Sequence, residues 1–211
     1  MKALILAGGK EPSFDILKEE AKNSDYIICA DRGANCLYKY NIVPDYLLGD
    51  FDSINKDILD FFKNKECKME VYPPEKDYTD TYIALKRAMD LKVSEVVFLG
   101  ATGTRFDHVL GNLGLLDICL ENHIKAYIRD DNNKIMLLDK SIDFKAQRDK
   151  YFSVQAYENK VEGFCLKNAK YPLDNYTLKV GDTLTISNEF VEKDLEISFE
   201  KGKVIFIISN D

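Results

Sequence analysis

The sequence predicts an α/β fold: an N-terminal, mostly parallel sheet with flanking helices, followed by a small C-terminal antiparallel β-sandwich. In the first two thirds of the 211 residues, short apolar runs alternate with stretches of helical periodicity. This alternation is typical of a parallel sheet covered on both faces. After about Asp143, short strand-like runs follow one another without helices between them, as in a sandwich. We therefore expect two domains, 1–140 and 141–211, with a boundary near Lys140.

Apolar runs and helical spacing predict the elements of the first domain. The predicted strands are Ala3–Ala7, Tyr26–Ala30, Tyr46–Leu48, Met69–Tyr72, Val96–Leu99 and Ala126–Ile128. The predicted helices are Ile58–Lys65, Asp80–Leu91 and Phe106–Asn122, the last with a stripe of Val109, Leu113, Leu116 and Leu120. Parallel sheets of this kind bind ligands at the carboxyl ends of their strands, so we expect the functional residues there.

Short strand-like runs without intervening helices are the predicted strands of the second domain. They are Tyr151–Tyr157, Tyr176–Val180, Thr183–Ser187, Leu195–Phe199 and Val204–Ile208. The segment Glu200–Lys203 has the composition of a hairpin turn, which predicts that the last two strands pair with each other.

Composition excludes several functions. A formal net charge of -7 disfavours a broad nucleic-acid surface, but it permits a nucleotide that arrives with magnesium. The apolar run at the N-terminus is too short for a signal peptide or a membrane span, so we expect a cytoplasmic protein without membrane contact. Five scattered cysteines without a CxxC pair predict reduced thiols rather than a disulfide framework or a zinc site.

Pairs of carboxylates follow two of the predicted sheet elements. Asp50 and Asp52 come directly after a buried strand, where alternate residues share one side and offer Mg²⁺ hard oxygen ligands. A solvated turn that caps the next helix is an equally good interpretation. Asp77 and Asp80 flank Thr79 at the start of another helix, where helix capping is again the alternative. Asp31 ends the second strand and is either a further acid at the same edge or a helix cap.

The segment from Gly100 to His108 follows the strongest strand and opens a helix. Its small residues let backbone N–H groups approach an anion, and Arg105 offers a guanidinium fork to phosphate oxygens. Arg105, His108 and Asn112 fall near one face of that helix. The alternative is a glycine-rich turn with a capping Asp and a structural His108. Ala7-Gly8-Gly9, after the first strand, is only a weak nucleotide-binding signal.

Taken together, the motifs ADRGAN, PDYLLGDFDS, KDYTD and GATGTRFDH, with the SN of TISNEF, closely resemble the thiamine pyrophosphokinase family over nearly the whole chain. The resemblance implies Mg²⁺-dependent transfer of the terminal pyrophosphoryl group of ATP to the hydroxyl of thiamine, with release of AMP. It implies that domain 1–140 binds the nucleotide and magnesium, while domain 141–211 binds thiamine. Because family members are homodimers with shared sites, it also implies that the sandwich of a partner subunit supplies the thiamine contacts.

The same resemblance assigns roles to particular residues. The implied magnesium ligands are Asp50, Asp52 and Asp80, which with Arg105 and Asp107 form the implied catalytic set. The implied contacts on the ATP side are Asp31, Asp77, Thr79, Thr102, Gly103, Arg105, His108 and Asn112. The implied contacts on the thiamine side are Ser187, Asn188 and Phe190. Either Asp50 or Asp107 is expected to accept the proton of the thiamine hydroxyl.

Two positions depart from the commonest family pattern. Thr104 stands where glycine is frequent, so a positive φ at this residue would be strained. The chain has no tryptophan, and Phe190 is the expected aromatic substitute over thiamine.

Two other functions stay open, a nucleotidyltransferase or kinase with another acceptor and a non-catalytic sensor of thiamine or nucleotide. The intact set of acids favours an enzyme.

Overall fold

The structure is a computed structural model that describes residues 1–73, 75 and 77–210. The chain divides into two compact units, Met1–Asp131 and Asn132–Asp211. The division precedes the boundary predicted near Lys140, because residues 133–138 form a strand of the second unit that the sequence pattern did not predict.

In the first unit, parallel strands alternate with helices, which confirms the predicted α/β class. The strands are β1 (Lys2–Leu6), β2 (Tyr26–Ala30), β3 (Tyr46–Gly49), β4 (Lys68–Val71), β5 (Glu95–Leu99) and β6 (Lys125–Arg129). The helices are α1 (Phe14–Lys22), α2 (Gly33–Lys39), α3 (Lys56–Lys63), α4 (Asp80–Asp90) and α5 (Phe106–Glu121). The strand order is β6-β5-β1-β2-β3-β4, and every pair is parallel. Helices α1 and α2 are short and were not predicted.

The centre of this sheet is apolar on both faces, as covering helices require. Strands β1 and β5 are buried along nearly their whole length, whereas the edge strand β4 is largely exposed. Because the strands are parallel, their carboxyl ends meet along one edge. The residues that follow them there are Ala7 after β1, Asp31 after β2, Asp50 after β3, Gly100 after β5 and Asp130 after β6.

The second unit consists of two antiparallel layers, as predicted. Its strands are β7 (Asn133–Leu138), β8 (Ile142–Phe144), β9 (Tyr151–Ala156), β10 (Lys160–Lys167), β11 (Leu173–Lys179), β12 (Asn188–Glu189), β13 (Leu195–Ser198) and β14 (Val204–Ser209). One layer has the order β12-β9-β14-β7 and the other β11-β10-β13-β8. Fully buried phenylalanines from both layers, Phe152, Phe164 and Phe206, pack in the core between them.

Two predictions for this unit are wrong. Residues 183–187 form a turn rather than a strand. The hydroxyl of buried Thr185 donates to the carbonyl of Val154, whereas Leu184 and Ile186, the apolar residues of the predicted strand, are exposed. Glu200–Lys203 does not close a hairpin, because β13 and β14 lie in different layers. Its backbone bonds instead to Glu162 of β10, with N–H to O distances of 2.9 Å in both directions.

The apolar stripe predicted on α5 is also displaced. The buried face consists of Asn112, Leu115, Leu116 and Cys119, whereas Val109, Leu113 and Leu120 are only half-buried. Helix α5 is apolar nearly all round, so spacing alone did not reveal which side the sheet covers. None of the helices in the described part of the chain combines the length and the apolar character that a membrane span needs. All five cysteines carry free thiols.

Candidate active site

A cluster of carboxylates lies at the ends of two neighbouring strands. Asp31 follows β2, while Asp50 and Asp52 follow β3, and one carboxylate oxygen of each lies within 4.8 Å of the others. Among the His, Cys, Asp and Glu side chains of the described residues, these three acids form the group that is close enough to hold one metal ion. The sequence named Asp50, Asp52 and Asp80 as ligands, and the structure places Asp31 rather than Asp80 in this group.

The cluster concentrates negative charge. Its hydrogen bonds are few, with the Asp52 N–H donating to Asp50 Oδ1 at 3.2 Å and the Ser53 hydroxyl donating to Asp31 Oδ2 at 2.7 Å. The hydrogen bond with the Asp50 carboxyl, and then repulsion from Asp50, Asp31 and Asp80, raise the pKa of Asp52. The other oxygen of Asp31, Oδ1, is buried and accepts no hydrogen bond. An unsatisfied buried oxygen within a cluster of like charges fits a hard cation.

Unusual backbone angles hold these acids in place. Asp31 (φ 42°) and Phe51 (φ 63°) both adopt left-handed conformations, which cost a non-glycine residue about 1 kcal/mol or more. Gly49 has a φ of 151°, and a Cβ at this position would lie 3.2 Å from the Cβ of Asp31. The glycine therefore lets the ends of β2 and β3 approach, and both strained residues lie where the acids meet.

Beside the acid cluster is an open cleft of about 880 Å³. The ends of β1, β2, β5 and β6 line it, together with the first residues of α4 and α5. Its volume is in the range of small-molecule and cofactor sites. The predicted site residues that line it are Asp31, Thr79, Asp80, Thr102, Gly103, Arg105, His108 and Asn112. Asp31 belongs to both the cleft and the acid cluster, which makes them one site.

The floor of the cleft is formed by two loops that are bonded to each other. The N–H of Gly9 donates to the carbonyl of Gly100, and that of Lys10 donates to Thr102, both at 2.7 Å. A Cβ at Gly9 would lie 2.1 Å from the Thr102 carbonyl oxygen, so only glycine permits this contact. The weak sequence signal Ala7-Gly8-Gly9 therefore marks part of the site.

Sequence reasoning missed three charged residues of the cleft, Lys10, Arg32 and Asp130. The available signal was their position, because each follows a strand of the parallel sheet within a few residues. Single charged residues in loops carry no spacing pattern, and for this reason they were passed over.

Side chains at the start of α4 and α5 have distinct roles. Thr79 caps α4, since its hydroxyl accepts from the Tyr82 N–H at 3.3 Å. The buried Asn112 amide donates to the Ala101 carbonyl at 2.8 Å and so fixes the glycine-rich loop. Arg105 is exposed and paired with Asp107, with Nη2 to Oδ2 at 2.6 Å. This guanidinium lowers the pKa of the Asp107 carboxyl.

Two sequence expectations near the cleft need adjustment. Thr104 does not have a positive φ, and the extreme angle in that loop belongs to Gly103 instead, so the expected strain at Thr104 is absent. Asp77 is exposed and does not line the cleft within the described residues. Lys76 of the KDYTD motif lies outside the described residues.

The three residues expected to contact thiamine differ in their surroundings. Ser187 is exposed, and its N–H donates to the Ser153 hydroxyl at 3.1 Å. Asn188 is 2% exposed. Its Nδ2 donates to the Tyr171 carbonyl at 2.8 Å, and its Oδ1 accepts from the N–H groups of Tyr171 and Glu189. Phe190 is half-buried with its ring 4.8 Å from that of Phe152. Asn188 and Phe190 thus stabilise their own unit, and Ser187 is the residue open to a ligand.

A carboxylate cluster joined to a glycine-rich cleft at the carboxyl edge of a parallel sheet defines a class of protein, the enzymes that transfer phosphate-containing groups from nucleotides.

Comparison with known proteins narrows this class. Residues 17–128 match the family described as thiamin pyrophosphokinase, catalytic domain, and residues 139–204 match its vitamin B1 binding domain. Thiamine pyrophosphokinase of Bacillus subtilis is 32% identical over 210 residues, 98% of each chain. A crystal structure of the Bacillus subtilis protein has a TM-score of 0.89 at 29% identity, and one from Enterococcus faecalis has 0.87 at 30%, each covering 100% of both chains.

The chain belongs to the thiamine pyrophosphokinase family. It is therefore an enzyme, and ATP-dependent pyrophosphorylation of thiamine is the reaction of this family. The second matched region begins at residue 139, close to the boundary expected from the sequence, although the compact unit begins earlier.

Proposed function

We propose that the chain transfers the terminal pyrophosphoryl group of ATP directly to the hydroxyl of thiamine in a magnesium-dependent reaction, releasing AMP and thiamine diphosphate. The observation that carries the proposal is the Asp31, Asp50 and Asp52 cluster at the edge of a nucleotide-sized cleft. Three carboxylates within 4.8 Å of one another, beside which the pKa of Asp52 is raised by its hydrogen bond with Asp50 and by like charge, suit a site that is completed by a cation.

Asp31, Asp50 and Asp52 would hold Mg²⁺, and Asp80 would add charge from the start of α4. The buried, unpartnered Oδ1 of Asp31 supports this set of ligands. When bound, the cation neutralises phosphate oxygens and makes the transferring group more electrophilic. The protein's share is to fix the acids, and the left-handed residues Asp31 and Phe51 do this through the backbone.

Arg105, which lines the cleft, would bind oxygens of the transferring group. Its planar guanidinium is aligned by Asp107, so one edge of the fork is held while the other can meet phosphate. In this pair Asp107 binds protons less readily than an ordinary carboxylate, because Arg105 lowers its pKa. This lowered pKa disfavours Asp107 as the base for the thiamine hydroxyl.

We further propose a homodimer in which Ser187 of a partner subunit meets thiamine above the acids. Phe106 and Leu110 support this arrangement, since they are 76% and 64% exposed on the helix that begins at the cleft. Exposed apolar side chains beside a site are typical of a surface that another chain covers. Free thiols on all five cysteines suit a reducing compartment, and we place the enzyme in the cytoplasm.

Product identification tests the reaction. The full chain is incubated with ATP, Mg²⁺ and thiamine, and the products are separated by chromatography and identified by mass. We expect AMP and thiamine diphosphate in equal amounts, and chelation of Mg²⁺ should stop the reaction. Formation of ADP with thiamine monophosphate would indicate a kinase, and release of pyrophosphate would indicate a nucleotidyltransferase. Thiamine binding without turnover would indicate a sensor.

Mixing of inactive chains tests the shared site. Asp52→Ala and Ser187→Glu chains, each shown inactive alone, are mixed under conditions in which labelled subunits exchange. If the site is shared, each mixed dimer has one site with both lesions and one intact site. With random pairing, half the dimers are mixed, so activity should recover to about a quarter of wild type. Asp52→Ala mixed with Asp80→Ala is the matched control and should show no recovery. Absence of recovery with Ser187→Glu would contradict the shared site.

A further inference from the structure

Glu70, Tyr72 and Arg87 form a polar network that the proposed reaction does not yet use. One nitrogen of the Arg87 guanidinium, Nη2, donates to both carboxylate oxygens of Glu70 at 2.6 Å. The hydroxyl of Tyr72 donates to Glu70 Oε2 at 3.0 Å. All three side chains are half-buried. Short, charge-assisted hydrogen bonds in such a setting hold both partners in a fixed geometry.

The network joins the edge strand of the parallel sheet to a helix. Glu70 lies in β4, and Tyr72 directly follows that strand. Arg87 lies on α4, and its guanidinium carbon is 5.2 Å from the centre of the Tyr46 ring on β3. Within the described residues, β4 is paired on one side alone, with β3, whereas α4 packs against β1, β2 and β3. The ion pair between Arg87 and Glu70 therefore connects α4 to β4.

At the strand end, the network is next to the acid cluster. The N–H of Tyr72 donates to the carbonyl of Gly49 at 2.9 Å, and Gly49 directly precedes Asp50. Burial, and then the hydrogen bond with Glu70, raise the pKa of Tyr72, so its hydroxyl is protonated and donates at neutral pH. The position of the network is thus fixed relative to the backbone that carries Asp50.

On the helix, the network is two turns from the first residue of α4. Arg87 comes seven residues after Asp80, so both lie on one side of the helix, about 10 Å apart along its axis. Asp80 and the preceding Thr79 line the cleft. The hydrogen bond with Asp50 is the main cause of the raised pKa of Asp52, and the charge of Asp80 adds to it. A tilt of α4 would therefore change the distance between Asp80 and the acid cluster.

We infer that the Glu70–Arg87 pair, together with Tyr72, positions the start of α4 so that Asp80 adds its charge to the proposed magnesium site. These three are positioning residues, since none of them is among the described residues that line the cleft. The inference rests on the proposed function for the metal, and it deepens that function by identifying what holds the fourth acid in place. Loss of partners that orient the residues of a metal site typically lowers metal affinity by about tenfold or more.

The test measures metal binding to the free protein. Mn²⁺ prefers the same oxygen ligands as Mg²⁺, and its binding is followed by electron paramagnetic resonance. We expect Glu70→Gln and Arg87→Met to weaken Mn²⁺ binding by about tenfold. Arg87→Lys keeps the charge and can still bond Glu70, so it should recover part of the affinity. Tyr72→Phe removes one hydrogen bond and should weaken binding by about threefold.

Two variants serve as controls. Lys2→Met breaks another partly buried ion pair, in which Lys2 Nζ is 2.9 Å from Glu20. Because Lys2 begins β1, at the opposite edge of the sheet from the acids, this variant should lose stability but keep its affinity for Mn²⁺. Asp90→Asn removes the weaker partner of Arg87, at 4.0 Å from Nη1 and at the far end of α4. Its affinity should stay within about twofold of wild type, since exposed ion pairs contribute little.

Hydrogen exchange in the first turn of α4 reports the position of the helix without any metal. The N–H groups of Tyr82 and Ile83 donate to the hydroxyl and the carbonyl of Thr79. Both should exchange faster in Glu70→Gln than in Lys2→Met. A Glu70→Gln protein with the Mn²⁺ affinity and first-turn exchange of Lys2→Met would overturn the inference. If wild type binds no Mn²⁺ but the first turn exchanges faster in Glu70→Gln, the proposed metal is wrong and the positioning of α4 stands.

Discussion

Asp31 in the first unit and Asn188 in the second are both polar, but they differ in hydrogen bonding and in backbone conformation. Sequence motifs implicated both residues in ligand binding. Asp31 has a left-handed backbone and a buried oxygen that accepts no hydrogen bond. Asn188 is buried with its amide bonded to both backbone groups of Tyr171. The backbone conformation and the unsatisfied oxygen of Asp31 destabilise the folded chain, whereas the hydrogen bonds of Asn188 stabilise it.

This contrast separates residues that serve a ligand from residues that serve the fold. The unsatisfied oxygen of Asp31 and the left-handed angles of Asp31 and Phe51 lie where β2 and β3 end, and a native protein keeps such features when a ligand satisfies them. In the second unit, the side chain of Asn188 is hydrogen-bonded to Tyr171, and the ring of Phe190 packs against that of Phe152. We expect substitutions in the first unit to affect turnover and substitutions in the second to affect stability.

The largest effect should come from Asp52→Asn, which removes one charge from the acid cluster. Turnover should fall by about a thousandfold, since several kcal/mol of electrostatic stabilisation are lost with the metal site. Circular dichroism should not change, because Asp52 is exposed and packs against no core. Asp57→Asn is the matched control, being an exposed acid in the first turn of α3. Near wild-type kcat/KM in Asp52→Asn would remove this residue from the site.

Arg105→Lys should have the next largest effect. Lysine keeps the charge but loses the planar fork, so a charge-assisted hydrogen bond of about 1.5 to 3 kcal/mol is lost. We expect kcat/KM to fall by about tenfold or more, measured at saturating Mg²⁺. Arg148→Lys, an exposed residue of the second unit, serves as control and should be neutral. Equal kinetics for both variants would leave Arg105 as a surface residue.

Asn188→Ala probes the second unit. The change leaves the N–H and carbonyl of Tyr171 without their partners, so the free energy of unfolding should fall by about 2 kcal/mol, measured by urea titration. Ser187→Ala is the control, and its exposed side chain predicts a change within about 0.5 kcal/mol. The comparison of the two units fails if Asn188→Ala is fully stable but raises the KM for thiamine, since Asn188 would then be a ligand contact.

The smallest effect concerns the pH dependence of stability. The pKa of Asp52 is raised in the folded protein by the Asp50 carboxyl. The folded state therefore binds this proton more tightly, and the penalty grows as pH rises from the ordinary carboxyl range through the raised value. Asp52→Asn without Mg²⁺ should have a slightly higher Tm than wild type at pH 7. The difference should vanish below about pH 3.5, where the unfolded acid is also protonated. A Tm difference that is independent of pH would contradict repulsion as its cause.

The sequence predicted the sheet edge well, because parallel strands are long apolar runs and their ends are marked by Gly49, Gly100 and the acids. It failed where a position depends on a distant partner. Leu184 and Ile186 alternate with polar residues as in a strand, but both are exposed, and the buried residue between them is Thr185, whose hydroxyl donates to Val154. A turn-like Glu200–Lys203 could not show that its flanking strands join opposite layers.

The acid cluster was predicted only in part, again because one of its members depends on contacts that are distant in the sequence. Motif spacing grouped Asp50 with Asp52, since they are near in sequence. The approach of Asp31 depends on the pairing of β2 with β3 and on the left-handed turn after β2. Asp130 needed the position of β6 along the sheet as well. Local patterns therefore identified the residue types, and topology determined which of them meet.

The two hydrogen-bonded loops at the floor of the cleft also determine how mobile the cleft is before a nucleotide binds. Since the Gly9 and Lys10 amides already donate to Gly100 and Thr102, their protons exchange with solvent only when this part of the sheet opens. The loops are thus ordered before any nucleotide arrives. The protein therefore loses little conformational entropy when the nucleotide binds. The affinity of the cleft is then set by its contacts with the nucleotide rather than by the ordering of its loops.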